Sequence, residues 1–167
     1  VSFNDKNLVF YNYAVAGILK SGYEVRIFCN NTISKASEQL CVFYADEWEY
    51  DNNSKRVSVS LKDGLEEWQE INYGGVNYDP MNSTSKNFEW LYKEISNFTK
   101  ENSKIEVADF KDLDEKTKKL LSKLYIEYPV IFSGNIWSVW QKFGEATQTH
   151  IFKNKDGLVT CKYNGGN

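Results

Sequence analysis

The stretch ADEWEYDNNSKRVSVSLKDGLEEW, residues 45–68, decides how this chain folds. Asp51-Asn52-Asn53-Ser54 at its centre supplies side chains that bond their own backbone and favour turns. Leu40, Cys41, Val42, Phe43 and Tyr44 lead toward that turn in a strand over 39–50. VSVSL beyond it alternates apolar and polar at the period of a half-buried strand over 56–61. Two strands joined by a short polar turn predict an antiparallel hairpin. A second turn at Lys62-Asp63-Gly64 passes the chain to a further strand or short helix over 65–73.

Upstream of the hairpin, Leu8, Tyr11, Val15, Ile18 and Leu19 share a helical face over 6–20, closed by Ser21-Gly22. Tyr23, Val25, Ile27 and Cys29 then alternate with Glu24, Arg26 and Phe28 in a strand ended by Asn30-Asn31. Downstream, NYGGVNYDPMNSTS over 72–85 reads as an irregular loop, long enough to invite a functional role. Phe88, Leu91, Tyr92, Ile95 and Phe98 recur at steps of three and four, predicting a helix over 85–100 capped by Ser83, Thr84 or Ser85. After a short strand at 105–107, Asp112 and Glu115 open a helix carrying Leu113, Leu120, Leu121, Leu124 and Tyr125, which Pro129 ends. Trp137, Val139 and Trp140, then 147–152 and 158–163 around the turn Asn154-Lys155-Asp156-Gly157, read as two or three antiparallel strands. This order predicts an α+β chain, mainly antiparallel sheet with about three helices packed on it. No repeat, low-complexity run or linker divides it, so 1–167 is expected to form one globular domain.

A composition 41% hydrophobic and 26% charged separates the chain from disordered sequences. Arg26 and Arg56 are the only arginines among 20 basic residues and the net charge is −3, which argues against nucleic acid as a partner. The longest apolar run, AVAGIL at 14–19, is too short to span a membrane. Residues 1–19 lack the basic start and cleavage pattern of a signal peptide, and a cytoplasmic location is expected. Cys29, Cys41 and Cys161 are odd in number and follow no metal-binding spacing, which predicts buried free thiols. Asn30, Asn52, Asn82 and Asn97 open glycosylation triplets of the kind that chance produces in a chain rich in Asn, Ser and Thr.

His150 is the only histidine, which rules out a site with two or more His ligands, and its alternating strand predicts a side chain facing water. Gly74-Gly75 lacks the Lys-Ser or Lys-Thr of a phosphate-binding loop and reads as a turn. Trp137 and Trp140, with Phe132 and Phe143, read as core. No cofactor is expected.

The acids of the opening stretch stand out. Asp46, Glu47, Glu49, Asp51, Asp63, Glu66, Glu67 and Glu70 face only Lys55, Arg56 and Lys62. On a regular strand Asp46 and Trp48 share one face and Glu47, Glu49 and Asp51 the other, about 7 Å apart. Such a row serves as a solvated edge that discourages strand addition, a docking face for a basic partner, or a carboxylate site for a divalent cation or glycoside cleavage. Because Trp48, Tyr50, Trp68 and Tyr73 interleave with the acids, a docking face is expected from Asp46, Glu47, Trp48, Glu49, Tyr50, Asp51, Glu66, Glu67, Trp68 and Glu70. The function this implies is non-enzymatic: an acidic inhibitor of immunity type that neutralises a basic, nuclease-like toxin. A small carboxylate-based hydrolase, with or without a metal, and an extracellular carbohydrate-binding or adhesion module are the alternatives.

Overall fold

The alternation of Val57, Ser58, Val59 and Ser60 becomes the two faces of one strand: the valines are buried and Ser60 is exposed. In the computed structural model, which describes residues 1–6, 10, 12–13, 20–128 and 130–165 (side chains of Asn77 and 130–132 excepted), the architecture is α+β with antiparallel sheets. The helix expected over 6–20 falls largely outside the described residues. The chain gathers into two compact units, Val1–Gly64 and Leu65–Asn167.

The first unit is a four-stranded antiparallel sheet in the order β1-β4-β3-β2, from β1 (Ser2–Asn4), β2 (Glu24–Asn30), β3 (Ser37–Asp51) and β4 (Arg56–Lys62). The expected hairpin is β3–β4, with Asp51 opposite Arg56. Asp51 Oδ1 accepts the Asn53 amide at 2.9 Å, and Lys55 takes the left-handed conformation, φ 57°, that closes the turn. Val42, Ala45, Val57 and Val59 are buried. Phe3 meets Phe10 edge-on at 4.7 Å, and Phe10 stacks 6.1 Å from Trp48.

The second unit holds the helices α1 (Glu67–Glu70), α2 (Phe88–Asn102), α3 (Glu115–Lys123) and α4 (Ile136–Thr147). Its strands pair as β5 (Asn72–Tyr78) with β6 (Val130–Asn135), and as the hairpin β7 (Thr149–Lys153) with β8 (Val159–Tyr163). Leu91, Tyr92 and Ile95 of α2 and Val139, Trp140 and Phe143 of α4 are buried. The rings of Tyr92, Trp140 and Phe143 lie 5.3–5.9 Å apart in tilted contacts. Their polar edges are satisfied inside: Trp140 Nε1 donates to Thr99 Oγ1 at 3.2 Å, and the Tyr92 hydroxyl to the Ala108 carbonyl at 2.7 Å.

Several elements differ from the sequence expectation. Residues 136–147 form a helix where strands are expected, because Asn135 caps it by accepting the Ser138 amide at 2.8 Å and Ile136, Val139, Trp140, Phe143 and Thr147 fall on one face. The 72–85 segment is not an irregular loop throughout: 72–78 is β5, whose register shifts between Tyr73 and Val76 around Gly74-Gly75, with Gly75 at φ 95°. Helix α2 starts at Asn87, which accepts the Trp90 amide, rather than at a serine or threonine of 83–85. A 3₁₀ turn, Phe110–Asp112, precedes α3, whose cap is Asp114 instead of Asp112, and α3 stops at Lys123, ahead of Pro129. At 105–107 only an isolated bridge from Val107 to Val159 forms.

Candidate functional site

Between Ala45, opposite Leu61, and Trp48, opposite Val59, β3 carries one residue more than β4. This is a β-bulge: the extra residue leaves the ladder and the strand bends. Asp46 and Glu47 are both exposed within it, so Asp46 does not follow Trp48 as strict alternation requires. Beyond the bulge the alternation resumes. Trp48 and Tyr50 lie opposite the buried Val59 and Val57, while Glu49 lies opposite Ser58 on the other face.

On that outer face Ser2, Ser58 and Glu49 stand in one cross-strand row. Glu47, Glu49, Ser58 and Ser60 line an open depression of about 610 Å³. No lysine or arginine lines it. Neither Glu47 nor Glu49 forms an ion pair with any described residue. The two carboxylates therefore stand without ion-pair partners among the described residues above a hydroxyl-lined floor, with the Val1 ammonium, bonded to the Val59 carbonyl at 2.9 Å, also on the lining.

The other expected site residues have different duties. Asp46 lies 3.6 Å from Lys62 in an exposed ion pair. Asp51 shapes the hairpin turn: the Ser54 hydroxyl, then the amides of Asn53 and Ser54, hold its carboxyl below the ordinary value. Trp48 does not point outward as a contact for a partner; it is half-buried against Phe10, and its Nε1 donates to the Lys20 carbonyl at 3.2 Å. Tyr50 is half-buried on the same inner side. Trp68 is the clearest correction. It is completely buried, with Nε1 donating to Ser103 Oγ at 2.8 Å, and so anchors the core of the second unit. Glu66 and Glu70 are exposed and Glu67 half-buried beside it on α1. The ten expected residues thus divide between the two units, and Asp46 and Glu47 in the β3 bulge, with Glu49 just beyond it, remain as exposed acids of that strand.

Elsewhere, all three cysteines are free, but only Cys161 is buried; Cys29 is exposed, because β2 lies at the sheet edge, and Cys41 half-buried. Burial pushes the Cys161 thiol up to about 12. His150 is exposed on β7 and stacks 5.5 Å from Phe152. Among the described residues no three His, Cys, Asp or Glu side chains gather as a metal-binding group, and no helix is long and apolar enough to cross a membrane. One cluster escaped the sequence reading: Lys93, Ser96 and Lys100, spaced three and four apart on α2, line a second depression with Phe110 and Lys111. Their helical spacing was the available signal, obscured by the stronger apolar stripe of the same helix.

No family model, curated protein or solved structure matches the chain.

Proposed function

We propose that the chain is a non-enzymatic binding protein, an acidic inhibitor of immunity type that acts in the cytoplasm and covers the basic cleft of a nuclease-like toxin. The observation that carries this reading is the β3 bulge, which sets Glu47 and Glu49 without ion-pair partners beside a hydroxyl-lined depression of about 610 Å³. Hydrogen-bonded strands on either side of the bulge hold the backbone that carries those carboxylates, so little backbone entropy is lost when a partner arrives. Two free carboxylates offer phosphate-like charge to a surface built for nucleic acid, and opposite charge accelerates encounter.

The test is a paired capture from lysate at low salt, using the native chain and the double variant Glu47→Lys/Glu49→Lys. A basic protein retained by the first, released by salt and missing from the second supports the reading. Equal recovery by both removes this strand from the interface. A rise in Tm with added magnesium, calcium or manganese would instead favour the carboxylate hydrolase, since an ion that binds only the folded state stabilises it.

A further inference from the structure

We propose that the depression between α2 and the 3₁₀ turn is a binding site for a small phosphomonoester whose organic part is a flat ring. Its volume, about 290 Å³, lies near the lower end of the range for small-molecule sites. Ser96 lies on its wall and is only 4% exposed, yet its hydroxyl bonds to no described residue. The oxygen itself is not sealed from the depression, since Ser96 Oγ is not among the buried atoms that lack a partner. Thr99, three residues on along the same helix, is also buried and donates to the Ile95 carbonyl at 2.8 Å, so the local backbone does accept such bonds. The Ser96 hydroxyl is left for a ligand.

The rim is cationic. Lys93, Lys100 and Lys111 border the depression, and the carboxylates that pair with them are Glu89, 2.6 Å from Lys93, and Asp109, which pairs with both Lys100 and Lys111. Among the lining residues themselves three ammoniums stand with one carboxylate, Asp109, while Glu89 and Asp112 lie outside the lining. Asp109 holds together two like charges that would otherwise repel, and each ammonium, with three protons, keeps donors for a second acceptor. With the Asn97 amide also on the wall, most of the polar lining donates. A phosphoryl group brings three acceptor oxygens and nearly two negative charges to such a set, and lysine binds it as a point charge. Phe110, half-buried at the rim with Lys93 Nζ 5.2 Å from its ring centre, supplies the aromatic surface for a flat ring.

The test is a titration of the full, isotopically labelled chain with phenyl phosphate, followed by amide chemical shifts, with phenol and inorganic phosphate in parallel. The expected result is saturable shifts confined to 93–100 and 109–111, with phenyl phosphate binding more tightly than either fragment. Ser96→Ala and Lys100→Gln should each weaken it about tenfold, while Lys119→Gln, an exposed lysine on α3, leaves it unchanged. Ser96→Ala removes a single oxygen; should it fail to fold, Lys100→Gln carries the test alone. Shifts scattered over lysines across the surface, or equal losses in Lys100→Gln and Lys119→Gln, overturn the proposal.

Discussion

Trp48 and Trp68 stand twenty residues apart, each with acids on both sides. One is half-buried on a strand with its indole nitrogen held by the Lys20 carbonyl; the other is wholly enclosed on a short helix with its nitrogen on Ser103. The acids around them differ accordingly. On α1 the helical turn sends Trp68 inward, so Glu66 and Glu70 are the solvated rim of a core anchor. On β3 the pleat and its bulge turn the aromatics to one side and leave Glu47 and Glu49 on an open face. An acidic-aromatic run is thus two different objects, according to the period of the backbone that carries it.

The comparison breaks most visibly if Trp68 is removed. Trp68→Ala should cost about 3–5 kcal/mol of stability in a urea titration, by the cavity and by stranding the Ser103 contact. A loss below about 1 kcal/mol would mean that this tryptophan is not the core anchor. Trp48→Ala, on its half-covered strand, should cost about 1–2 kcal/mol, and a loss as large as that at position 68 would erase the distinction.

Asp114→Ala tests the helical unit at a smaller scale, with about 1 kcal/mol lost from the cap of α3. Burial disfavours the ionised Asp114, but hydrogen bonds from the Thr117 hydroxyl and amide outweigh it and hold the carboxyl below its ordinary 3.8. The unfolded chain therefore binds more protons here as pH falls past 3.8, and the stabilisation present above that value disappears through the lower, folded pKa. The gap between native and Asp114→Ala proteins should narrow in acid; a constant gap would assign the loss to something other than the ionised cap. Smallest in stability is Glu47→Lys/Glu49→Lys, expected to lie within about 0.5 kcal/mol of the native chain in the same titration, because both side chains are exposed. A larger loss would show that these acids support the sheet.

The β3–β4 hairpin was legible because its turn chemistry and its alternation agree: Asp51 to Ser54 favour the turn, and each valine of VSVSL has a buried face to fill. Helix α4 was not, since aromatic and β-branched residues at 136–140 resemble a strand, and the decisive signals are the Asn135 cap and a face completed only at Phe143 and Thr147. At the candidate site the exposed acids were visible, but the bulge was not. No residue type marks the place where a strand takes an extra residue; that is decided by which of its neighbours must reach Val57 and Val59. Trp68 was misplaced for a related reason, because proximity in sequence to acids says nothing about which way a helical side chain points.

The bulge also determines how β3 tolerates changes of length. In a regularly paired part of this strand, such as Cys41 to Tyr44, deleting one residue would shift the register and turn side chains to the opposite face. Deleting one residue within the bulge, Asp46 or Glu47, would instead leave Ala45 opposite Leu61 and Trp48 opposite Val59, as they are now. The strand therefore contains a point at which a deletion is silent in register, among the exposed acids Asp46 and Glu47; a second lies at Leu40, where β3 carries one residue more than β2.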